Sequence, residues 1–165
     1  MRSHAVENHW FVATFPEKVA VREDSSDPLA SVTEWVAETQ PFGVFSIRVT
    51  NMRIDPFVAV GASQWIARFG NRLLGTLDKM NLAVLEDEVR DPSPGLKVRD
   101  LACRFDYEGP CGMFGRIMAV TDGEGGRVVE AWVIVAWSPA WKDEALGFLD
   151  GIKLAVSQPL WKPEA

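Results

Sequence analysis

A chain of 165 residues, 47% hydrophobic and 24% charged, has the length and balance of one soluble globular domain. Its net charge of −6 repels a phosphate backbone, and its basic residues are interleaved with acids: Glu23 and Asp24 follow Arg22. With no run of 18 apolar residues there is no membrane span, so nucleic-acid binding and membrane crossing are both disfavoured.

The single domain is expected to cover residues 1–165, with an ordered core of about 9–156 between tails 1–8 and 157–165. Met1 to His9 lacks the apolar middle of a signal peptide and reads as a frayed start, so the expected location is cytoplasmic. An envelope location follows if a leader has been removed. The first strand is Trp10 to Phe15, stopped by Pro16, with Val19 to Val21 as its expected hairpin partner. After the loop Asp24-Ser25-Ser26-Asp27-Pro28, Ser31 to Glu38 reads as a strand with two unlike faces. Val44 to Asn51 then alternates Phe45, Ile47 and Val49 inward against Ser46, Arg48 and Thr50 outward.

The period then changes. Ile66, Phe69, Leu73, Leu77 and Met80 recur at three- and four-residue steps, which is one stripe of a helix ending near Lys79 and Asn81. Asp55-Pro56 is its candidate start and Ser63 a competing later cap. Gly70 and Gly75 weaken the helix and suit close packing on a sheet.

Period two returns from Leu82 to Val89, breaks at Asp91-Pro92-Ser93-Pro94-Gly95, and is cleanest from Asp100 to Tyr107. Met113 to Thr121 and Val128 to Trp137 are apolar on both faces, which assigns them to the centre of a sheet covered on both sides. Ser138-Pro139 starts a second helix with the stripe Trp141, Ala145, Phe148 and Ile152. The expected fold is therefore α+β: an antiparallel sheet of about six to eight strands flanked by two helices, in the order strands, helix, strands, helix. The helices lie one on each face or both on one.

No catalytic set is apparent. His4 and His9 are the only histidines and both sit in the expected tail, so neither histidine-dependent nucleophilic catalysis nor an ordinary zinc site is supported. The glycine-rich stretches Gly109 to Gly115 and Asp122 to Gly126 join strand to strand, whereas phosphate cradles need a following helix. The acids Glu86, Asp87, Glu88 and Asp91, with Asp100, Asp106 and Glu108, read as a solvated acidic face. Cys103 and Cys111 flank a hairpin turn. If Glu108 faces Cys111, then Cys103 faces a residue near Arg116 and the thiols are too far apart to bridge, so both are expected free.

Trp132 and Trp137 are assigned to the core, whereas Trp141 can project past its stripe and Trp161 lies beyond the last periodic segment. These two are the candidate partner-binding residues.

The opening Trp10-Phe11-Val12-Ala13-Thr14-Phe15-Pro16, the segment Phe105-Asp106-Tyr107-Glu108-Gly109 with the following Arg116-bearing strand, and Phe148-Leu149-Asp150-Gly151-Ile152-Lys153-Leu154 together resemble the PsbP-like superfamily, including its DcrB-like bacterial branch. Gly151 stands where bacterial members often carry Ser. The resemblance implies an α/β/α sandwich whose members bind other proteins without catalysis, among them adaptor chaperones of secretion systems. The expected function is accordingly a non-catalytic protein-binding module, adaptor or chaperone-like, with no cofactor or metal and a second protein as partner; homodimerisation is left open. The alternative is a small-ligand-binding protein or small enzyme with an apolar pocket between helix and sheet, lined by tryptophans and Arg116 or Arg104.

Overall fold

The computed structural model describes residues 3–26, 30–40, 42–53, 62–121 and 125–155. Among these residues ten strands and two helices run in the order β1 (His4–Glu7), β2 (Phe11–Phe15), β3 (Val19–Asp24), β4 (Ala30–Thr39), β5 (Gly43–Arg53), α1 (Ala62–Leu77), β6 (Ala83–Ser93), β7 (Leu96–Asp106), β8 (Pro110–Thr121), β9 (Gly125–Ala136), α2 (Trp141–Leu149) and β10 (Lys153–Leu154). Strands β3 to β9 make one antiparallel sheet in the order β3-β4-β5-β9-β8-β7-β6. A smaller sheet, β1-β2-β10, has β2 at its middle.

The two strands apolar on both faces, β8 and β9, pair with each other near the centre of the large sheet, as their composition requires. One face of the sheet carries Leu101, Cys103, Met113, Ile117 and Val128, and α1 covers it with Trp65, Ile66 and Leu77. The other face carries Phe45, Ile47, Phe114, Val129 and Val133, covered by α2 and by Phe11, Ala13 and Phe15 of β2. Each helix thus takes its own face. The molecule is a three-layer sandwich whose second outer layer is half helix and half small sheet. Rings join that layer to the large sheet, Phe11 meeting Trp35 at 4.9 Å and Phe148 meeting Phe45 at 5.4 Å, and within the layer Phe148 meets Phe15 at 5.1 Å.

Three glycines make room for three tryptophans. A side chain at Gly112 would run into Trp141, one at Gly115 into Trp132, and one at Gly126 into Trp65. A missing Cβ in a central strand leaves a seat into which an indole packs flat, close to the backbone.

Two arginines fasten the helices to the sheet. Arg99, on β7, is 8% exposed; its Nε and Nη2 each donate to a carboxylate oxygen of Asp87 on β6 at 2.8 Å. Its Nη1 donates to the carbonyls of Ile66 and Ala67 and to Asn71 Oδ1 in α1, at 3.2–3.3 Å. Gly70 lies against this guanidinium, and a Cβ there would fall 2.5 Å from Nη1. Gly75 has open space around it, so only the first of the two helix glycines serves packing. On the opposite face Arg116 donates to Asp100 at 2.8 Å and to Asp150, the residue that closes α2, at 2.9 Å. A cation at the carboxyl end of a helix also complements its dipole.

Several expectations are revised. Residues 4–7, assigned to a tail, form β1 and pair with β2, because a lone β2 would expose a full backbone edge. Val19 to Val21 does not pair with the first strand; it belongs to β3, which pairs with β4 in the other sheet. Ser63 lies inside the first turn of α1 rather than at its cap, and Asp55-Pro56 lies outside the described residues. Ser46 and Thr50, expected outward, are 8% and 6% exposed. The turn Tyr107-Glu108-Gly109, with Glu108 and Gly109 at φ 53° and 128°, shifts the hairpin register: Phe105 faces Cys111 and Cys103 faces Met113. The thiols are then diagonal neighbours on one face, about 7–8 Å apart by strand geometry, too far for a disulfide. Both are free and buried.

Replacing Arg99 by Ala removes charge-assisted bonds to two elements at once and is expected to lower stability by about 2 kcal/mol or more, read by chemical denaturation. Thiol titration without reductant is expected to count two thiols per unfolded chain. In the folded protein the reaction is expected to be slow, since burial raises both thiols, Cys103 to about 11.

Candidate functional site

Burial divides the tryptophans expected to matter. Trp141 does not project past its stripe: it is 5% exposed, seated on Gly112. Trp137, assigned to the core from its strand, is the half-buried member of the pair, because β9 ends at Ala136 and the chain turns off the sheet at that point. The two indoles lie 5.3 Å apart at an interplanar angle of 32°, with Trp141 backing Trp137. On the outer side the guanidinium of Arg104 sits 4.7 Å from the centroid of the Trp137 ring. Trp161 lies outside the described residues.

Arg104 is exposed and, among the described residues, has no carboxylate partner. The stack is therefore layered from core to solvent as Gly112, Trp141, Trp137, Arg104. Its outermost layer carries uncommitted hydrogen-bond donors and one full charge. Arg116, the other arginine proposed to line a pocket, is instead held by Asp100 and Asp150.

The acidic cluster is not a bare solvated face. Asp87 is paired with Arg99, Asp91 with Lys97 at 2.9 Å, Asp100 with Arg90 and Arg116, and Glu86 with Lys142; Asp106 accepts from Asn81. Apart from Asp106, whose partner is an amide, these acids balance nearby cations.

A second polar feature lies on the α1 face. Glu130, in the centre of β9, is fully buried; both its carboxylate oxygens lie 3.2 Å from Arg72 Nη2, which reaches over from α1. In the strand register Arg48 stands opposite Glu130, and Glu34 opposite Arg48. Burial raises the Glu130 carboxyl above its ordinary range, and the charges of Arg72 and Arg48 oppose that rise. The sequence signal was a lone acid in the run Val128 to Ala136, which holds no other charged residue. Beyond this row the surface opens into a broad depression lined by Arg22, Asp24, Val32, Glu34 and Arg48, not a closed cavity.

Among the described residues no three metal-ligating side chains converge, and no helix is long and apolar enough to cross a membrane.

No protein-family model matches the sequence, and a search of curated proteins finds no match. Solved structures do. The solution structure of cyanobacterial PsbP (CyanoP) from Synechocystis sp. PCC 6803 superimposes with a TM-score of 0.55 at 11% identity, covering 93% of this chain and 91% of that one. LpqN of Mycobacterium tuberculosis, described as involved in cell envelope biogenesis, superimposes at 0.53 with 11% identity, covering 93% and 90%. At this identity the likeness shows the fold: the chain has the PsbP-like fold over nearly its whole length.

Because the raised Glu130 carboxyl binds its proton more tightly in the folded state, its contribution to stability is greatest at low pH. That contribution is lost as pH rises from the ordinary carboxylate range through the raised value. Glu130→Gln is therefore expected to be neutral or stabilising at neutral pH and to flatten this part of the pH–stability curve. Arg72→Ala, which strands the carboxylate, is expected to cost about 2 kcal/mol at neutral pH and less in acid, the half-exposed arginine keeping the value modest. Thermal melts across pH check both.

Proposed function

We propose that the protein is a non-catalytic binding module that recognises another protein through the Arg104–Trp137 stack. One observation carries the reading: an arginine with no carboxylate partner among the described residues, laid over a half-buried tryptophan that is itself backed by a fully seated tryptophan. Tryptophan and arginine are the residues most enriched at energetically dominant contact points, and a rigid backing lowers the entropy lost on docking. Trp141 acts here by holding Trp137 in place rather than by touching the partner. The partner chemistry that suits Arg104 is a carboxylate flanked by apolar atoms, since the guanidinium is planar, forked and uncommitted.

The alternative of a small-ligand site is less well supported, since the depression beside Arg48 is broad and both arginines of the imagined pocket are otherwise placed. The fold likeness to PsbP and LpqN is consistent with a role that involves no catalysis. Two free, buried thiols are compatible with action in the cytoplasm.

Affinity capture from the native host tests the reading. Arg104→Glu and Trp137→Ala are expected to reduce capture of the partner tenfold or so, about 1.4 kcal/mol, with melting temperatures within a few degrees of wild type. Trp141→Ala is expected to lower stability as well, by about 3 kcal/mol, because it empties a core seat. Undiminished capture by both surface variants overturns the proposal.

A further inference from the structure

We draw no further inference here: the strongest candidate, the depression on the face of β3, β4 and β5 beside Glu130, alternates Arg22, Glu34 and Arg48 from strand to strand with Asp24 alongside, so its charge selects neither an anion nor a cation, and nothing in the structure shows what covers it.

Discussion

The rest of the architecture depends on the two-sided apolarity of β8 and β9. A strand with one wet face needs one cover; a strand with none needs two, and it needs them over the same few residues. Met113 and Ile117 therefore call for α1, while Phe114, Val129 and Val133 call for α2 and the small sheet. The covers are not interchangeable. Each is fixed by an arginine rooted in the sheet, Arg99 for α1 and Arg116 for α2, with the counter-acids arranged on β6, β7 and the helix end. Apolar burial decides that the faces are covered, and the guanidinium forks decide where each helix sits.

That division of labour explains what could be read from the chain. Period two and period 3.6 are local signals, so both helices, the seven large-sheet strands and the centrality of β8 and β9 were legible. Register was not. It hung on a three-residue turn with two positive-φ positions at Glu108 and Gly109, and a shift of three residues changed the partner of Cys103 from the neighbourhood of Arg116 to Met113. The small sheet was illegible for another reason: β10 is two residues long and its partner lies some 140 positions earlier.

The candidate site was half legible. Both tryptophans near the end of β9 drew attention, but their roles are exchanged, the helical one buried and the strand one accessible. The deciding residue is Gly112, whose lack of a side chain draws Trp141 down onto the sheet. Nothing local to Trp141 records a glycine on a strand thirty residues away. From the sequence Arg104 is legible only as the lining of a possible pocket, and Glu130 is passed over in a strand taken as apolar on both faces, because their surroundings come only from the pairing of distant strands. Fold likeness to PsbP and LpqN adds no residue to this site at 11% identity.

The position of β2 between β1 and β10 has a consequence for how the molecule is made. Phe11, Ala13 and Phe15 are core residues, yet the strand bearing them gains its second neighbour only when Lys153 and Leu154 arrive. The Ala155 amide donates to the Trp10 carbonyl at 2.9 Å, so this seam joins the first and last parts of the fold. Closing so long a loop is entropically slow, and during synthesis on a ribosome an apolar strand made first must wait for one made last. The same seam brings these distant stretches of chain side by side, which makes the molecule a natural scaffold for circular permutation, in which the waiting strand would be synthesised next to its partner.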